Sequence, residues 1–143
     1  MDLKWLFGYR LGGYERRREV VESALAFGDR ALAAELLWKQ ERAWGLNWSN
    51  GSPASMVVDY EHLIWVLEQL REVVPGLAEA VDAAISPAKG LRDLNVMRVG
   101  HSPYRRMMSR EAAVKLVRLQ DELKGARAAL WSLRGVVSRP SGP

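Results

Sequence analysis

Cysteine is absent from the 143 residues. Its absence excludes disulfides, thiolate zinc sites, iron–sulfur clusters and cysteine nucleophiles together. Histidine is nearly absent too: His62 and His101 are the only two, which leaves little imidazole chemistry. Long apolar runs are missing. The strongest, Leu63 to Leu67, falls far short of the ~20 residues of a membrane span, so no membrane partner is expected. The opening residues Met1 to Phe7 meet Arg10 too soon to read as a signal peptide, and a cytoplasmic location is the default. Lysine is scarce, with 5 against 16 arginines. With many Ala, Gly and Val alongside, that bias suits a high-GC bacterial or phage coding sequence.

What is present suffices for one domain. Hydrophobic residues make up 48% and charged residues 27%, ordinary for a globular chain, and folding at this size hides roughly two-thirds of the unfolded surface. We expect a single domain over residues 1–137 and a flexible tail over 138–143. Charge is unevenly spread. Residues 1–75 carry a net −2 and residues 76–143 a net +6; from Ser86 onward there are 12 basic and 4 acidic residues. Such polarity points to nucleic acid or another acidic surface.

The periodicity is helical throughout. A first helix is expected over Tyr14–Phe27, with Val20, Val21, Ala24 and Phe27 on its apolar face. Gly28-Asp29 reads as a C-cap glycine and an N-cap aspartate, so a second helix begins at Arg30 and reaches about Trp44, closing an antiparallel hairpin. It would bury Leu32, Leu36, Leu37 and Trp38. Asn50-Gly51 and Ser52-Pro53 mark a turn. Ser55 would then cap a central helix to Val74, with Met56, Tyr60, Leu63, Leu67, Leu70 and Val74 at intervals of 3 or 4. Pro75-Gly76 breaks it, a short helix follows over Leu77–Ile85, and Ser86–Met108 shows no sustained period. Ser109 caps a last helix to about Leu133, where Ala112, Leu116, Leu119, Leu123, Ala126, Leu130 and Leu133 form a heptad seam. The fold class is therefore all-α: a compact bundle of four or five helices with an N-terminal hairpin and a long C-terminal helix.

Catalytic and metal motifs are lacking. No phosphate-cradling glycine loop, serine elbow or His-Glu-x-x-His is present, and no cofactor, metal or enzymatic activity is expected. Asp59 and His62 share a helical face, but a di-iron bundle needs a second such unit; a hydrogen-bonded boundary histidine is the simpler reading. His101 lies in an arginine-rich loop. HEPN ribonucleases place an arginine four to six residues before their histidine, whereas here Arg98 stands two intervening residues away and Arg92 eight. The spacing fails on both sides, and a small ribonuclease using His101 is kept only as a third reading.

The first reading rests on a basic cluster. Arg98, Arg105, Arg106 and Arg110 crowd a loop and the start of the last helix; Lys115 and Arg118, then Lys124 and Arg127, follow at three-residue steps. Opposite the leucine seam they would form a stripe for phosphates, with Tyr104 placed to stack on a base. Six tryptophans are the other excess: Trp38 and Trp65 fit core positions, whereas Trp5, Trp44, Trp48 and Trp131 near helix ends or in loops read either as buried plugs or as anchors of a protein interface. The expectation is a non-enzymatic subunit that binds RNA or DNA backbone with little sequence preference inside a larger bacterial or phage assembly. The second reading is a protein-interaction module, such as a phage structural or inhibitory protein, that binds an acidic protein surface. A homo-oligomer is left open.

Overall fold

The computed structural model describes residues 3–45, 53–99 and 109–137. Five helices account for them: α1 (Leu3–Ala26), α2 (Arg30–Ala43), α3 (Pro53–Val73), α4 (Ala78–Val99) and α5 (Arg110–Val137). The protein is an all-α bundle. Each helix packs on the next in sequence, and α1 also touches α3. Leu63, Leu67, Leu70, Leu77, Leu91 and Leu130 are fully buried at the centre.

Local chemistry sets the α1–α2 corner. Gly28 takes φ +78°, a left-handed value that glycine adopts without the Cβ penalty. The Asp29 N–H donates to the Ala24 carbonyl at 2.9 Å and the Gly28 N–H to the Leu25 carbonyl at 3.0 Å, the paired bonds of a Schellman stop. The Asp29 carboxylate then accepts from the Leu32 N–H at 3.0 Å and starts α2. Arg30 reaches from the start of α2 to the end of α3, its guanidinium donating to the carbonyls of Glu72 at 2.9 Å and Val73 at 3.2 Å. A cation thus satisfies orphan carbonyls at the negative end of α3.

Several expected boundaries and faces differ. Helix α1 starts eleven residues before Tyr14 and runs through Gly12-Gly13, since no proline interrupts the segment and glycine only weakens a helix. Val21 and Ala24 face inward, but Val20 is exposed and Phe27 is 90% exposed, because Phe27 stands beyond the last turn and points off the bundle. Leu32 of α2 likewise faces out. Helix α3 opens on Pro53 rather than on a Ser55 cap; proline suits the first turn, where an N–H would have no partner, and Ser55 is buried inside the helix.

The largest correction is α4. The short helix expected to end at Ile85 continues to Val99 through Pro87. Pro87 forfeits one backbone bond, yet it is buried within the inward stripe of Val81, Ala84, Ile85, Ala88, Leu91 and Leu94, and that packing holds the helix through it. Gly90 has a steric role. A Cβ there would lie 3.0 Å from Leu119 Cδ1, so glycine lets α5 approach. That meeting point lies nine residues before the end of α4 and nine after the start of α5, the register of an antiparallel pair. On α5 the Ser109 hydroxyl accepts from the Ala112 N–H at 3.2 Å, and the seam faces inward: Leu119, Leu123 and Leu130 are buried, Ala112, Leu116, Ala126 and Leu133 half-buried.

Candidate nucleic-acid interface

The antiparallel register brings the end of α4 beside the start of α5. There Arg110, Lys115 and Arg118 line one open groove together with Glu111 and Val114. All three basic side chains are exposed; Arg118 shares its charge with Glu122 at 3.8 Å. Arg98, on the facing end of α4, is half-buried and donates to Asn95 Oδ1 at 3.5 Å. Tyr104, Arg105, Arg106 and His101 belong to the connection and lie outside the described residues. The same end exposes Val96, Met97 and Val99 on α4 and Val114 and Val117 on α5, so the basic groove has apolar flanks.

The stripe does not continue down α5 as one face. At ~100° per residue, Lys124 points well away from Lys115 and Arg118. Arg127 departs from it altogether. Its Nε donates to Glu41 Oε1 at 2.5 Å and its terminal nitrogen to the Glu41 backbone carbonyl at 2.6 Å. Glu41 is 0% exposed, and an ionised carboxylate taken out of water needs such a partner. Trp131 Nε1–H donates to the other carboxylate oxygen. Arg127 therefore ties α5 to α2 and is not a free cation for phosphate.

The tryptophans close around this pair. Trp44 is buried, its Nε1–H donating to the Asp59 carbonyl at 2.7 Å, with the Arg127 guanidinium 5.0 Å from its ring centre. Trp131 meets Trp38 edge-on at 5.1 Å, with the guanidiniums of Arg42 and Arg134 at 4.9 Å and 5.0 Å from its ring centre. Trp44 is a core side chain, and half-buried Trp131 forms part of the same α2–α5 clasp. Only the backbone is described at Trp5, and Trp48 lies outside the described residues. Sequence reasoning missed the clasp; its only signal was the coincidence of excess arginine with excess tryptophan.

A second polar cluster lies between α1 and α3. His62, 2% exposed, stacks on Tyr14 at 4.2 Å and, more distantly, on Trp65. Neither ring nitrogen has a hydrogen-bond partner, against the expectation of a hydrogen-bonded boundary residue. Burial, with the Arg18 and Arg17 charges adding to it, lowers its pKa to about 3, so the ring is a neutral aromatic filler at pH 7. The Tyr14 hydroxyl donates to the Asp59 carboxylate. Among the described residues no group of three or more acidic or histidine side chains could hold a metal, and no helix is long and apolar enough to cross a membrane.

No family model matches this chain. Nor does any curated protein or solved structure match it significantly. Any functional reading rests on its own residues.

Proposed function

We propose that the protein is a non-enzymatic binding subunit that holds the sugar–phosphate backbone of RNA or DNA at the α4–α5 end. The observation carrying this reading is the groove in which Arg110, Lys115 and Arg118 stand exposed together. Arg98 lies on the facing helix end, and Arg105 and Arg106 stand in the sequence between them. Backbone binding of this kind reads charge spacing rather than bases. Of the residues first assigned to it, Arg127 leaves the set and Lys124 stands apart.

A protein partner with an acidic and apolar surface is the second reading. It is favoured by exposed Val96, Met97, Val99, Val114 and Val117 beside the same cations, because phosphates have no use for such side chains. Fluorescence anisotropy of labelled RNA and DNA, single- and double-stranded, separates the two. The first reading expects affinity that falls log-linearly with salt and is lost in R110E/K115E/R118E, while V114S/M97S binds as before. Absence of binding at ~50 mM salt, where such contacts are strongest, overturns it and turns the search to acidic protein partners.

A further inference from the structure

Helix α5 turns its leucine seam inward, yet its opposite side carries a second seam at the same spacing. Val114, Val117, Asp121, Lys124 and Ala128 recur at steps of 3 and 4, and the row ends where Trp131 turns into the α2–α5 clasp. Val114 is 63% and Val117 56% exposed; Asp121, Lys124 and Ala128 are exposed as well, and Trp131 is half-buried. Asp121 and Lys124 have no ion-pair partner among the described residues. Gly125 adds to the oddity. It sits in mid-helix with nothing within 4 Å of where a Cβ would stand, so nothing within the described fold requires glycine there.

We infer that this outer face of α5 pairs with the same face of a second copy, antiparallel about a two-fold axis between Glu122 and Leu123. Charge and size both select that register. Asp121 of each copy falls opposite Lys124 of the other, so two identical ion pairs flank the axis. One layer out, bulky Val117 meets small Ala128. Antiparallel coiled coils pair their seam positions in this alternating way, and a two-fold interface must be self-complementary in this sense. A parallel pairing in register would instead set Asp121 against Asp121 and Lys124 against Lys124. The two basic grooves would stand about 26 Å apart along the helix pair at ~1.5 Å per residue. One helix pair buries less than a standard interface of roughly 800 Å² per partner, so the dimer is a weak one.

Sedimentation equilibrium of the full chain without nucleic acid tests this independently of the proposed backbone binding. The wild type is expected as a dimer at ~100 μM, in keeping with the small interface. Asp121→Lys alone and Lys124→Asp alone each create two like-charge pairs and weaken dimerisation roughly a hundredfold, about tenfold per pair. The double exchange D121K/K124D restores it, and Val117→Glu abolishes it. Circular dichroism, expected to show unchanged helicity for these exposed substitutions, separates loss of the dimer from loss of the fold. A wild type that stays monomeric at that concentration, a dimer indifferent to the single charge reversals, or a double exchange that fails to recover it overturns the inference.

Discussion

Glu41 and Arg127 show how much one buried ionic group demands of its neighbours. Replacing Arg127 alone by methionine leaves an uncompensated carboxylate in the interior, and breaking a buried pair in this way costs about 3–5 kcal/mol. Replacing both residues, as Glu41→Leu with Arg127→Met, removes the desolvation penalty along with the attraction, so the double variant is expected to be more stable than R127M. Urea unfolding of the three proteins reads the difference; equal stability of R127M and wild type would mean that the carboxylate has no need of its partner. His62 gives a second test at this scale. Its pKa is held down to about 3 in the fold, whereas in the unfolded chain it titrates near 6.5. Below that unfolded value the unfolded state binds the extra proton. Stability is therefore full above pH 6.5 and falls as the pH drops toward 3, by about 2 kcal/mol at pH 5. His62→Phe keeps a ring against Tyr14 and should lose that slope between pH 7 and pH 5; an unchanged slope would assign the acid sensitivity elsewhere.

At the scale of elements, the two mid-helix glycines Gly90 and Gly125 have opposite meanings. Gly125 borders no atom, so Gly125→Ala should strengthen α5 by about 1 kcal/mol in dilute protein, where the helix faces water. Gly90→Ala brings a methyl to 3.0 Å from Leu119 Cδ1, so the buried Leu119 must give by a few tenths of an ångström and the variant should gain less than Gly125→Ala. A thermal melt of both variants decides, and a gain at Gly90 as large as that at Gly125 would contradict the geometry. Helix ends set by near neighbours were legible in the sequence: the Gly28-Asp29 corner and the Ser109 cap depend on bonds spanning a few residues. Helix α4 was not. Pro87 and Gly90 are local breakers, and the burial that overrides them comes from other helices. The inward stripe from Val81 to Leu94 nevertheless passes through both at helical spacing, a signal strong enough to have outweighed the proline.

Across the whole molecule, the bundle class, the inward seam of α5 and the basic bias of the later half could all be read from residue order. The assignment of individual cations could not. Lys124 and Arg127 stand three residues apart and look alike in sequence. One ends in solvent, and the other on a carboxylate 86 residues away. The tryptophans behave similarly, for Trp44 and Trp131 are placed by what α2 and α5 present to each other. The groove at the α4–α5 end keeps Arg110 and Lys115 without an ion pair among the described residues, and Arg118 is tied only to Glu122 on its own helix.

The α2–α5 clasp also imposes an order on assembly. A chain made from its N-terminus completes α2 long before α5 emerges. Until Arg127 and Trp131 arrive, Glu41 must stay hydrated, and the side of α4 that receives Leu119 lacks its cover. The core near α2 therefore cannot dry out early, and the last helix made is the one that seals it. Closure over so long a sequence separation is slow compared with forming the α1–α2 hairpin. The nascent protein thus passes through a stage in which the α1–α2 hairpin can form while its flank stays wet and open.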